Sequence, residues 1–233
     1  MAEPTLPPPP PPAGGTPGGL PWEQRERYGA VDGFVETLKL LVTAPADAFA
    51  RSRRHGDLVS PLAYAVLIGW IGVVVAGLWR LTIGTSILSM LPGEPRGAAF
   101  GLAFSGFRMV AALVLAPIFI LIGLFVWAAV LHLFLMLYGA TANSDTGFEG
   151  TLRVLAWSTT SQLGEAVPLV GWLVAMVWSV VLQTMGLAVY HRTTQGRALA
   201  AVLTPLVLCC VCCGFVFAGT LAMLFGAAAH AGR

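Results

Sequence analysis

Cys209, Cys210, Cys212 and Cys213 are the only cysteines of the chain, and their CCVCC spacing raises the question of metal or redox chemistry. All four lie in the middle of a long apolar run. In one helix Cys209 and Cys213 share a face, with Cα atoms about a turn apart and near-parallel Cβ vectors, a poor disposition for a disulfide. A tetrahedral zinc site needs ligands converging from more than one segment, and buried thiolates need compensating charge that this run lacks. The cysteines read as small, polarizable packing residues. His132 is a titratable group inside another apolar run, which makes it a functional candidate, and Arg153, Gln183 and the Ser158 to Gln162 stretch are the partners expected for it. Asp145 and Glu149 read as solvated loop carboxylates. The chain carries no HExxH, no G-x-S-x-G and no glycine-rich loop ending in lysine, and its loops are too short for a separate catalytic domain. No catalytic, cofactor-binding or metal-ligating residue is expected, and nothing points to nucleic acid.

The elements that position these residues follow from composition. Of 233 residues 57% are hydrophobic and 10% charged, too few polar groups to cover a soluble core, so lipid must serve as part of the solvent. Val59 to Trp79, Met109 to Leu137, Pro168 to Tyr190 and Ala198 to Phe225 are each at or above the roughly 20 residues that carry a helix across about 30 Å of hydrocarbon. The second run is long enough that tilt, or a kink at Pro117, must absorb the excess.

A fifth segment, Phe148 to Leu163, is shorter, begins near Arg153 and is dotted with Ser158, Thr159, Thr160 and Ser161. Basic residues accumulate on the cytoplasmic side, which helps to decide its status. If it spans and the N-terminus is inside, Arg51, Arg53, Arg54, Arg153, Arg192 and Arg197 are cytoplasmic against Arg80, Arg96, Arg108 and Arg233 outside. If it does not span, the sides come out equal. The expected fold is therefore an all-α polytopic membrane protein, a bundle of five transmembrane helices, with the polar third helix shielded by its neighbours.

Ahead of the bundle, residues 1–31 hold an unbroken proline run, Pro7 to Pro12, and then Gly14, Gly15, Pro17, Gly18 and Gly19, which predicts a disordered cytoplasmic tail. Residues 32–57 carry one apolar stripe at helical spacing, Phe34, Leu38, Leu41 and Phe49, with Asp32 as N-cap and a break at Pro45. They predict two short amphipathic interfacial helices on the cytoplasmic leaflet. Arg51, Arg53 and Arg54 then either attract anionic headgroups or only fix orientation. Residues 58–226 form the transmembrane domain and 227–233 a short C-terminal tail. Within the last span Gly214, Ala218, Ala222 and Gly226 recur at intervals of four, and Gly72 and Ala76 offer a shorter groove in the first. Such stripes of small residues let helices approach closely, within the bundle or across a homodimer.

From Gly139 onward the ordered elements Gly147-Phe148, Thr151-Leu152-Arg153-Val154, Trp157, Pro168-Leu169-Val170-Gly171, Trp178, Gly186-Leu187, His191, Arg197-Ala198 and Pro205 can be lined up. Together with Pro45, Phe49 and Ser60-Pro61-Leu62 upstream, they resemble the Yip family of Ypt/Rab-interacting membrane proteins and its prokaryotic relatives, over about residues 34 to 225. The family's Tyr-Ala-x-x-Pro near the third span stands here as Trp157-Ser158-Thr159-Thr160-Ser161, and its glycine pair after the second span as Gly139-Ala140.

The resemblance implies five transmembrane helices, a cytoplasmic N-terminus and, by analogy with eukaryotic members in vesicle traffic, a membrane-organising or partner-recruiting scaffold without enzymatic activity. A small transporter or channel, or an accessory subunit of a larger complex, is the alternative. Expected partners are the lipid bilayer, proteins bound through the cytoplasmic N-terminal region and other subunits of a homo- or hetero-oligomer. The preference for arginine over lysine points to a bacterial inner membrane, with the ER or Golgi as alternative.

Overall fold

The computed structural model describes residues 18–90 and 95–231, with side chains described over 18–83, 106–220 and at Met223. A 3₁₀ turn at Pro21–Gln24 and three short helices, α1 (Arg25–Tyr28), α2 (Ala30–Thr43) and α3 (Pro45–Arg51), precede the bundle. The bundle comprises α4 (Val59–Met90), α5 (Pro95–Leu137), α6 (Gly147–Ser158), α7 (Gly171–Tyr190) and α8 (Gln195–Ala231). Among the described residues four stretches are long and apolar enough to cross a membrane: Val59–Ile83, Gly106–Leu137, Gly171–Tyr190 and Gln195–Thr220. These coincide with the four long apolar runs. Pro117 and Pro205 are both carried inside helices.

The fifth segment is built differently. α6 has 12 residues and passes directly into an 8-residue 3₁₀ stretch, Thr159–Ala166. Its own hydroxyls explain the change of winding. Thr159 and Thr160 donate to the carbonyls of Ala156 and Trp157 three residues back, at 2.7 and 2.8 Å, competing with the α-helical ladder. The combined element runs antiparallel to α7. A Cβ added at Gly150 would come within 3.2 Å of the Tyr190 ring, one at Gly186 within 2.5 Å of Val154, and one at Gly164 within 2.8 Å of the Ala175 nitrogen. Small residues thus set the close approach along the whole length of the pair.

The largest fully buried side chains include Trp157, Arg153, Tyr64, Tyr190 and Phe49. Trp22, Phe34, Tyr64 and Trp157 form a ladder of rings with centroids 5.7, 5.4 and 5.1 Å apart, joining the N-terminal cap to α4 and α6.

The cap corrects the expected boundaries. The proline run lies outside the described residues, but the predicted disorder does not extend over 18–31. Leu20 and Trp22 are buried, the Trp22 indole donates to the Ser60 carbonyl at 2.8 Å, and the Trp22 amide donates to the Thr37 hydroxyl at 2.8 Å. Two large apolar anchors with satisfied backbone outweigh the flanking glycines. α2 begins one turn earlier than Asp32 suggests, with Gly29 at its N-cap in the left-handed region (φ 82°), and it stops before Pro45 as expected. Leu41 and Phe49 are fully buried, with Phe34 and Leu38 packed on the same core, so the apolar stripe faces protein. At the other end α8 continues to Ala231, through most of the predicted C-terminal tail.

Candidate functional site

Beneath the cap, where α4 begins and α7 ends, the chain collects its buried polar groups. Arg153 occupies the centre, and its side chain has no exposure. It projects from the second turn of α6, and Nε and one terminal nitrogen donate to the same Glu149 oxygen at 2.9 and 2.8 Å, an i,i+4 pair. The other terminal nitrogen donates to the Arg53 carbonyl at 3.3 Å and lies 3.8 Å from Glu23 Oε1. A guanidinium's five fixed donors suit such convergence from several segments.

Glu23 is buried as deeply. Its Oε2 accepts the amides of Leu20 at 2.7 Å and Arg53 at 3.1 Å, while Oε1 accepts no hydrogen bond. Burial raises its carboxyl pKa above the usual carboxylate value, and the two amides and the nearby guanidiniums oppose that rise without cancelling it. The Tyr190 hydroxyl donates to the Arg53 carbonyl at 3.0 Å and meets the Ser52 hydroxyl at 2.6 Å. These bonds tie the end of α3 to the end of α7.

A second chain of polar contacts lies alongside. His132 Nδ1 pairs with the Thr151 hydroxyl at 2.9 Å, Thr151 with His191 Nε2 at 2.9 Å, and His191 Nδ1 with the Ser144 hydroxyl at 2.8 Å. The partners expected for His132 were Arg153, Gln183 and the Ser158 to Gln162 stretch. It finds Thr151 instead because it lies nearer the cap end, level with the first turns of α6. His191 is fully buried, and burial, reinforced by His132 and opposed by Asp145, depresses its pKa to about 4. Sequence reasoning had given His191 no role of its own; its position one residue past the end of α7 was the available signal.

The loop carboxylates are also engaged. Asp145 bridges Arg54 at 3.4 Å and Arg192 at 2.6 Å, and Glu149 holds Arg153, so neither is merely solvated surface. Of the proposed lipid-facing arginines, Arg54 additionally donates to the Val189 carbonyl at 3.0 Å and the Arg53 backbone is bound from three directions, while Arg51 is exposed.

The remaining candidates are spread through the bundle. Gln183 sits on α7 and donates to Ser179 at 2.6 Å, beside a cavity of about 330 Å³ between α5, α6 and α7. Gly72 lets α4 approach the 3₁₀ stretch, where an added Cβ would meet Gln162 at 3.1 Å, and Ala76 is half-buried. Gly214 and Ala218 are exposed, with open space around Gly214; the side chains of Ala222 and Gly226 lie outside the described residues. All four cysteines are exposed, and among the described residues no three metal-capable side chains converge. Chemically, the polar cluster binds its own members: it fastens the cap onto the bundle.

A family model described as the Yip1 domain matches residues 39–227. No curated protein and no solved structure matches the chain.

Proposed function

The chain belongs to the Yip family, and from that premise we propose that this integral, multi-pass membrane protein is a non-enzymatic scaffold whose N-terminal cap recruits partners at the cytoplasmic surface. The observation that carries the proposal is the fastened cap and the face it turns outward. Val31, Val35 and Val42 of α2 are exposed on one side of the helix, with Val31 at 74%, flanked by Asp32, Glu36 and Lys39. A rigid, mixed apolar and charged helix face suits protein recognition in a way that a loose tail does not.

Five crossings with a cytoplasmic N-terminus accompany this reading. α6 and its 3₁₀ continuation rise about 34 Å together, enough for a hydrocarbon core of about 30 Å. They pair with α7 from Gly150 to Gly164, which supports equal depth for the two. Arg54, Arg153 and Arg192 gather at the cap end, as the positive-inside rule requires of a cytoplasmic face.

The test is residue-specific crosslinking in native membranes, comparing the wild type with Val31→Glu/Val35→Glu. Discrete protein adducts that disappear in the variant are the expected result. An unchanged adduct pattern would remove α2 from any recruiting role. Single-cysteine labels at Gly18 and Arg192 should react from one side and at Leu169 from the other. Reaction of Leu169 from the same side as Gly18, with Arg192 on the other, would reduce the crossings to four.

A further inference from the structure

We propose that the cavity between α5, α6 and α7 is a binding site for a neutral, hydroxyl-bearing lipid of the diacylglycerol class. One wall is polar: Ser158, Thr159, Ser161, Gln162, Ser179 and Gln183. The other is apolar, with Phe119, Leu124 and Trp127 from α5. Among the described residues no Asp, Glu, Lys, Arg or His lines it. At about 330 Å³ the cavity has room for a glycerol head and the first carbons of its chains.

The polar wall offers several acceptors. Ser158 donates its hydroxyl to the Val154 carbonyl at 2.7 Å and Thr159 to that of Ala156 at 2.7 Å, so both oxygens are left to accept. Ser179 already receives the Gln183 amide. Gln183 itself is 8% exposed, and its Oε1 is buried without a partner. A buried acceptor left unpaired is costly, and an incoming O–H offsets that cost. The site therefore suits a hydroxyl, which donates to Gln183 and accepts from the wall in turn.

Depth and access choose between lipids. Gln183 lies about 10 Å along α7 from Tyr190 and about 18 Å from Gly171, well inside the hydrocarbon layer. A phosphate or ammonium headgroup finds no counter-charge there and stays at the interface, whereas an uncharged glycerol head can descend. Phe119, 65% exposed, carries the cavity's rim onto the lipid-facing surface. No described residue of α8 lines the cavity, and its residues 207–220 are all exposed.

The inference rests on the packing of α5, α6 and α7 in a membrane and not on partner recruitment. The protein, in phosphatidylcholine nanodiscs, would be irradiated with a diazirine-bearing diacylglycerol or with a phosphatidylcholine probe of identical chains, and adducts located by mass spectrometry. Diacylglycerol should label cavity residues at least fivefold more than phosphatidylcholine. That labelling should fall at least fivefold in Gln183→Leu, which removes the acceptor, and in Gly123→Leu, which fills the cavity. Gly123 lines the cavity with nothing within 4 Å of an added Cβ, so this variant tests the site even if Gln183→Leu does not fold. Equal labelling by the two probes, or full labelling in the folded variants, would overturn the proposal, leaving a water-filled cavity.

Discussion

Arg153 and Glu23, brought from distant parts of the chain, face each other at 3.8 Å with neither side chain exposed to solvent. The pair joins α6 to the cap, and the two charges differ in how well they are held. Arg153 spends three donors on Glu149 and the Arg53 carbonyl, whereas one oxygen of Glu23 receives no hydrogen bond. Removing Arg153 should therefore be the more damaging change.

Arg153→Met should destabilise the protein by about 3–5 kcal/mol, because it leaves Glu23 buried without its nearest counter-charge and takes one of two donors from the Arg53 carbonyl. Thermal unfolding in detergent measures this. Limited proteolysis around residues 18–28 should show the cap released before the bundle melts. Glu23→Gln keeps an oxygen for the Leu20 and Arg53 amides and should cost far less. A Glu23→Gln protein as unstable as Arg153→Met would refute this ordering.

Acid should act on the two buried titrating groups in opposite directions. His191 has its pKa lowered from 6.5 to about 4, so the folded state favours the neutral ring. Its contribution is complete above pH 6.5 and is lost as pH falls towards 4, on the order of 3 kcal/mol in all. Glu23 has its pKa raised from 4.5, so its contribution is complete below 4.5 and is lost as pH rises through the raised value. The melting temperature of the wild type should thus drop between pH 6.5 and 4. His191→Gln should flatten that drop and Glu23→Gln should steepen it. Parallel curves for all three proteins would show that neither group titrates as its surroundings imply.

The seam between cap and bundle is sensitive at one glycine. A Cβ at Gly186 would lie 2.5 Å from Val154 and 2.8 Å from the Phe49 ring, so α3, α6 and α7 meet with no spare volume. Gly186→Val should overpack the seam and cost about 1–3 kcal/mol. The change at Gly196, where an added Cβ meets nothing, should be neutral by the same unfolding measurement.

The four long helices were readable because an apolar run of that length has few alternatives to crossing a membrane. The break between α2 and α3 was equally readable, since Pro45 disfavours helix at Ala44. The cap was not, because its order depends on Leu20 and Trp22 reaching α2 and α4, long-range contacts invisible in local composition. The Glu149 to Arg153 spacing carried a helical pair in plain view, yet its burial came only from Glu23 and Arg53 folding over it. His132 stood out as a titratable residue in an apolar run, while its partners followed from the relative depths of α5, α6 and α7, which hydropathy does not set.

The CCVCC stretch is best tested by what does not happen. All four thiols are exposed on a half of α8 that packs against no other described element, and among the described residues nothing is placed to share a metal with them. Cys209 lies about 21 Å along α8 from Gln195, deep in hydrocarbon. Changing Cys209, Cys210, Cys212 and Cys213 together to Ala should shift stability in detergent by less than about 1 kcal/mol. In intact proteoliposomes the native thiols should react with membrane-permeant N-ethylmaleimide and resist a charged methanethiosulfonate. Fast reaction with the charged reagent would place this half of α8 in water and remove it from the crossing segments.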